Sequence, residues 1–324
     1  MRMRYTMYLT AAMIFMAATF AAAAEPQIVR LWPNDPPATQ TYDATDQLES
    51  RGDEFMLSNV LHPSLAVHLP ATQPAEQPAA PRPAVIICPG GAYHRISVTR
   101  EGTRIAEALN ARGIVAFILR YRLPEGRAPA DGELPIPQQD VLRAIQTVRH
   151  RADEWKVDPQ RIGIIGFSAG GHLAASAATL FDQAPSIAGK ANDDEISQES
   201  GRPDFAVLMY PVITMDAAIT NSGSRRNLIG ATPSADLIAR FSADRQVTPD
   251  TPPLLIVTAQ DDQAVPAGNS LAMAAAAAEH RVPCVLIMLK TGGHGFGIGQ
   301  PDAESGQWFP LMLEWLKVRR VLGD

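Results

Sequence analysis

The chain has 324 residues, 46% of them hydrophobic and 19% charged, enough apolar material for a sizeable core, which excludes wholesale disorder. A formal charge of −6 without any basic block excludes a nucleic-acid or anionic-membrane surface as the business end of the molecule. Two cysteines, Cys88 and Cys284, are too few for a disulfide scaffold or a cysteine-rich zinc site; each lies in an apolar run and reads as a buried thiol.

Residues 1–24 stand apart. Arg2 and Arg4 precede a charge-free apolar stretch that ends in alanines just before Glu25, the first acid. A basic start, a short apolar stretch and small residues at its end describe a secretory signal peptide rather than a membrane anchor. The expectation is cleavage near residue 24 and export to a periplasm or the outside, with no stable membrane insertion once the signal is gone. Residues 25–324 then form one domain.

Residues 28–32 and 60–69 read as early strands, the second with Leu65, Val67 and Leu69 in alternation. Residues 70–83 hold five prolines among small and polar residues and read as an extended surface loop. From residue 84 the pattern becomes regular. Strands are predicted at 84–88, 114–119, 161–167, 205–210, 254–258 and 284–289. Helices are predicted at 101–112, 137–155, 171–180, 270–279 and 307–321, the first stopped by Gly113. Buried apolar strands alternating with helices mean an α/β fold with a mostly parallel sheet covered on both faces. Residues 212–253 interrupt the alternation and are expected to form a lid or loop segment.

The chemistry is concentrated between these elements. Gly166-Phe167-Ser168-Ala169-Gly170 fits G-x-S-x-G, with a buried strand directly before it and a helix directly after. A serine on such a turn is held in a strained conformation that lifts its hydroxyl above the sheet, and flanking side chains would collide with neighbouring elements. A serine hydroxyl needs a base. Of seven histidines, His294 sits in a glycine-rich loop after the last strand, where an imidazole can reach over the sheet end. His150, His172 and His280 fall in predicted helices, and His62 and His68 in the early strand region, where surface or packing roles are expected. His94 lies beside a glycine loop and, with Tyr93, is a candidate substrate-binding residue. The acid that fixes the base is expected directly after strand 254–258: Asp262, with Asp261 as the fallback. Gly91 and Ala92, in the small-residue loop after strand 84–88, and Ala169 offer backbone N–H groups for an oxyanion. No phosphate-binding glycine motif and no zinc-type histidine cluster occurs, so neither cofactor nor metal is called for.

With these residues in hand, the chain resembles a bacterial α/β-hydrolase esterase of the acetylxylan-esterase-like, BD-FAE-like family, related to feruloyl and acetyl esterases. The resemblance is carried by Leu31-Trp32-Pro33, Cys88 to Tyr93, Arg120-Tyr121-Arg122, Gly166 to His172, Tyr210 to Thr214, Thr251-Pro252-Pro253, Asp262 to Pro266, Asn269-Ser270 and Gly292 to Gly297. It implies Ser168 as nucleophile, His294 as base, Asp262 as its partner and the loop at Gly90 to Ala92 as oxyanion donor. Ala92 stands where a third glycine is common, and alanine keeps the N–H. The implied activity is hydrolysis of acetyl esters on xylan or a related carbohydrate, with a small-molecule or polysaccharide ester as substrate. The rivals are a general short-chain or feruloyl esterase, a serine peptidase, and a non-catalytic binding module.

Overall fold

A computed structural model describes residues 26–33, 36, 46–71, 80–124, 126–130, 132–183 and 194–323. The expected signal peptide and most of the proline-rich loop lie outside these residues. Among these described residues eleven strands follow in chain order: β1 Gln27–Arg30, β2 Gln47–Arg51, β3 Glu54–Ser58, β4 Ser64–His68, β5 Arg82–Cys88, β6 Ile96–Ser97, β7 Val115–Arg120, β8 Val157–Phe167, β9 Ala206–Met209, β10 Leu254–Ala259 and β11 Cys284–Leu289. Seven α-helices lie among them: α1 Arg104–Asn110, α2 Ile136–His150, α3 Ala169–Thr179, α4 Ser222–Ile229, α5 Ala235–Arg240, α6 Gly268–Glu279 and α7 Trp308–Val318.

Eight strands form one sheet in the order β1-β4-β7-β5-β8-β9-β10-β11. Only β4 runs against its neighbours; the pairs from β7 through to β11 are all parallel. The predicted strands from 84 onward are all present, within a few residues of their expected ends. Side chains alternate across the sheet with the strand period of two. Ile86, Ile164, Leu208 and Ile256 face one core with residues of α2, α3 and α6. Val85, Ile87, Ile165, Val207 and Val257 face the other with residues of α1 and α7. Continuous apolar runs such as Val-Ile-Ile-Cys in β5 are needed because both faces are dry.

The parallel strands point their carboxyl ends to one edge, so the loops after β5, β8, β9, β10 and β11 meet there. A buried ion pair anchors the region behind this edge. The Arg122 guanidinium lies 2.7 Å from Asp140, whose carboxylate also accepts from the Arg122 backbone N–H and the Trp32 indole, and none of the three side chains is exposed.

Four differences from the predicted elements have local causes. The helix expected over 101–112 opens with one π-helical turn at Thr99–Thr103 before α1 begins. The helix expected over 137–155 ends as α2 at His150, and a 3-10 turn carries on to Trp155, where left-handed Lys156 stops it. A three-stranded antiparallel sheet, β2-β3-β6, was not foreseen. Strand β2 is exposed along its whole length and so lacks apolar alternation; its readable signal is the two-residue turn at Gly52-Asp53, where Gly52 has φ 68°. Within 212–253 the chain forms α4 and α5, each capped by a side-chain oxygen, Asn221 and Ser234 respectively. Both cysteines are free; Cys88 is buried, whereas Cys284 is only half-buried.

Removing the carboxylate of Asp140 takes the ion-pair partner away from the buried Arg122 guanidinium. Asp140→Ala is expected to cost about 3–5 kcal/mol in urea unfolding; a loss below about 1 kcal/mol would show that the pair carries little.

Candidate active site

Strand β8 ends at Phe167 and α3 begins at Ala169, leaving Ser168 on the turn with φ 55° and ψ −117°. That backbone region is costly for a residue with a Cβ and persists only where its surroundings fix it. Close packing does the fixing. A Cβ on Gly166 would fall 2.1 Å from the Gly170 carbonyl oxygen, and one on Gly170 would fall 2.1 Å from the Cys88 carbonyl oxygen. The Ser168 N–H donates to the Met209 carbonyl, and its own carbonyl accepts from the N–H groups of His172 and Val212. The turn therefore brings helix, neighbouring strands and serine into contact at once.

His294, on the glycine loop after β11, places Nε2 2.9 Å from Ser168 Oγ. Its Nδ1 lies 2.7 Å from Asp262 Oδ2. A carboxylate can only accept, so Nδ1 carries the proton and Nε2 is left to accept from the serine. The other Asp262 oxygen accepts from the backbone N–H groups of Ala264 and Val265 at 2.8 and 2.9 Å, and the side chain is wholly buried. The adjacent acid has a separate task. Asp261 accepts from the N–H groups of Gly292 and Gly293, which tethers the histidine loop and, with the Gly293 bond foremost, holds its carboxyl below the usual range.

The donor loop follows β5. Gly91 has φ 138°, and a Cβ there would overlap the Arg95 carbonyl oxygen at 1.9 Å, so only glycine fits. Ala92 and Tyr93 both have φ 56°. Two side chains steady this strained turn: Asn227 from α4 donates to the Ala92 carbonyl at 2.8 Å, and the Tyr93 hydroxyl bonds His172 Nδ1 at 2.8 Å. Among the described residues nothing engages the N–H groups of Gly91, Ala92 and Ala169. A cavity of about 300 Å³ opens over Ser168 and His294, bordered by Gly91, Ala92, His94 and Asn221.

The structure thus brings Ser168, His294, Asp262 and the three N–H donors to one edge, and places His94 on the cavity rim with its side chain exposed. Tyr93 differs from expectation. Its side chain is fully buried and its hydroxyl is engaged by His172, so it supports the loop from beneath instead of facing a substrate. Two residues with no assigned role emerge, Glu101 and Tyr210. The Glu101 carboxylate accepts from the Gly90 N–H at 2.7 Å and the Tyr210 hydroxyl at 2.8 Å, and Tyr210 in turn accepts from the Gly297 N–H at 3.1 Å. Burial pushes the Glu101 carboxyl up, against the pull of the Tyr210 and Gly90 bonds. Neither was legible beforehand, because Glu101 sits at the predicted start of a helix where an exposed acid is ordinary.

The family model for BD-FAE matches residues 68–276, well over half of the chain. The chain belongs to the BD-FAE family. The matched segment contains Ser168 and Asp262 and stops short of His294, which is placed by geometry. An acetylxylan esterase of Xylanibacter ruminicola is 34% identical over 72% of this chain and 45% of its own length. Endo-1,4-beta-xylanase B of Butyrivibrio fibrisolvens is 33% identical over 69% of this chain and 34% of its own. The chain therefore spans less than half the length of these curated relatives. The crystal structure of an acetyl ester-xyloside bifunctional hydrolase from Caldicellulosiruptor lactoaceticus superposes with a TM-score of 0.75 at 32% identity, covering 93% of this chain and all of that one. The BD-FAE chain has the α/β-hydrolase fold.

His172 supplies a pH test of the supporting layer. Burial takes its pKa down from 6.5 to about 4, so the ring is neutral, with Nε2–H donating to the Phe241 carbonyl. The unfolded chain binds the proton more tightly, so this contribution is whole above pH 6.5 and is lost as pH falls toward 4. Wild type should lose up to about 3 kcal/mol across that window. His172→Gln should be less stable at pH 7 and show a flatter profile in urea titrations; an equally steep profile would contradict this origin.

Proposed function

We propose that this chain is an exported serine carboxylesterase that removes acetyl groups from xylan or related carbohydrate esters through an acyl-enzyme. The observation that carries the reading is the hydrogen-bonded chain from Ser168 through His294 to Asp262 beside three unengaged N–H donors. In this reading Ser168 Oγ attacks the ester carbonyl carbon while His294 Nε2 takes the hydroxyl proton. Asp262 steadies the imidazolium and keeps Nδ1 as the protonated nitrogen. The oxyanion rests on the N–H of Gly91 or Ala92 and that of Ala169, at the amino end of α3, where the helix dipole adds positive charge. Collapse expels the sugar oxygen, which takes the proton from His294 and leaves acetyl on Ser168. Water then attacks with His294 again as base, and acetate departs.

Membership of the BD-FAE family supports ester hydrolysis, and similarity to an acetylxylan esterase and an acetyl ester-xyloside hydrolase supports an acetylated xylan fragment as substrate. The modest cavity over Ser168 suits a small acyl group. His94 on its rim is assigned to the leaving sugar. Export rests on residues 1–24; among the described residues no helix is long and apolar enough to cross a membrane.

Acetate and ferulate release from acetylated and feruloylated xylan, followed by chromatography, tests the substrate assignment. The expected result is acetate from wild type and a loss of about 10⁴-fold or more in Ser168→Ala. Undiminished activity in that variant would overturn the nucleophile, and release of ferulate alone would overturn the acyl group. Sequencing the exported protein should find an amino terminus near Glu25; a start at Met1 would overturn the signal assignment.

A further inference from the structure

Glu101 is a buried carboxylate at the cavity wall without a counter-ion. Among the described residues no cation lies within ion-pair distance of it, and neighbouring Arg100 faces Glu54 at 3.8 Å. An isolated buried charge is a stability liability, so its presence asks for another explanation. It also sits in the π-helical turn Thr99–Thr103, and such turns concentrate at functional sites.

The bonding pattern supplies the explanation. The Tyr210 hydroxyl has one hydrogen. It donates that hydrogen to Glu101 Oε1 while its oxygen accepts from the Gly297 N–H, and the Gly90 N–H goes to Oε2. Both carboxylate oxygens act purely as acceptors. Gly90 directly precedes the donor Gly91, and Gly297 lies three residues after His294 on the same glycine loop. Tyr210 packs edge-on against the His294 ring at 5.0 Å and itself has φ 35°. Strained Tyr210 bonds this carboxylate directly, and strained Ser168 lies on the same side of Gly90 as the carboxylate.

Resting on the serine-esterase reading, we propose that Glu101 is a positioning residue: its carboxylate clamps the oxyanion loop to the histidine loop, and turnover depends on that clamp. It does not touch the reacting atoms. It fixes the distance between the group that activates the serine and the groups that receive the oxyanion. Glutamine in its place keeps the shape but has one acceptor oxygen where the carboxylate has two: with that oxygen on the Gly90 N–H, the amide NH2 meets the Tyr210 hydroxyl, which can accept it only by turning its own hydrogen away, so both bonds lose their charge assistance and the clamp is weakened.

The test is steady-state hydrolysis of p-nitrophenyl acetate by the full chain, comparing wild type, Glu101→Gln, Tyr210→Phe, the double variant and Ser168→Ala. Glu101→Gln should lower kcat about tenfold to a hundredfold with KM within about twofold, the pattern of a misplaced rather than a missing group. Tyr210→Phe should lower kcat less, since the bond to Gly90 survives. The double variant should be no slower than Glu101→Gln, because both act through one clamp. Wild-type kcat in Glu101→Gln, or multiplying effects in the double variant, would overturn the proposal. If Glu101→Gln does not fold, Tyr210→Phe decides alone: a lower kcat at unchanged KM supports the clamp and a wild-type kcat overturns it. An inactive Ser168→Ala beside a fully active Glu101→Gln would reject the clamp alone. An active Ser168→Ala would reject the esterase reading and the clamp together.

Discussion

The backbone of Ser168 occupies a conformation that the chain reaches only because two glycines let a helix, a strand and a turn interpenetrate. Everything at the site depends on that approach. The gaps that Gly166 and Gly170 leave are smaller than a methyl group, so the serine is pressed upward at the end of β8, where the helix N-terminus and the loop after β5 already lie. The strain is balanced by the sheet behind it, whose two cores cover both faces with apolar side chains. Site geometry and fold stability are thus one problem: loosening the packing under the turn would relax the serine and lose its orientation.

Around this turn the functional groups are arranged in two layers. Ser168, His294 and the free N–H groups face the cavity. Beneath them sit residues that hold backbone rather than substrate: Asp261 on the histidine loop, Asn227 and the Tyr93–His172 pair on the donor loop, and Asn269, which accepts from the N–H groups of Ile213 and Thr214. Strained loops need such support, since each left-handed residue with a Cβ favours relaxation. Adjacent acids illustrate the division of labour. Asp262 is buried against the imidazole, whereas Asp261 is exposed and binds only main chain.

The parallel strands, β5 and β7 to β11, were legible because a two-sided sheet demands unbroken apolar runs, and Val85 to Cys88 or Leu254 to Val257 satisfy nothing else so well. The serine and the histidine could be picked out because each sits among glycines at fixed offsets, and the structure brings the two within 2.9 Å of one another. The remainder was hidden for physical reasons. Strand β2 is exposed throughout and carries no burial pattern. Glu101 looks like an ordinary helix-start acid until the π turn places it inward, and its partners Gly90 and Tyr210, with Gly297 beyond Tyr210, lie on three other segments. Tyr93 follows a glycine loop as a substrate-facing residue would, yet its positive φ turns the ring down into the core.

The central claim is that the Ser168 hydroxyl, the His294 imidazole and the N–H groups of Gly91, Ala92 and Ala169 act on one carbonyl group. A crystal structure of the protein after reaction with an alkyl phosphonate ester, a stable mimic of the tetrahedral intermediate, measures this directly. The account predicts phosphorus bonded to Ser168 Oγ, with a phosphoryl oxygen at about 2.7–3.1 Å from at least two of those nitrogens. Phosphorus on another residue, or a phosphoryl oxygen turned away from all three nitrogens into solvent, would contradict it.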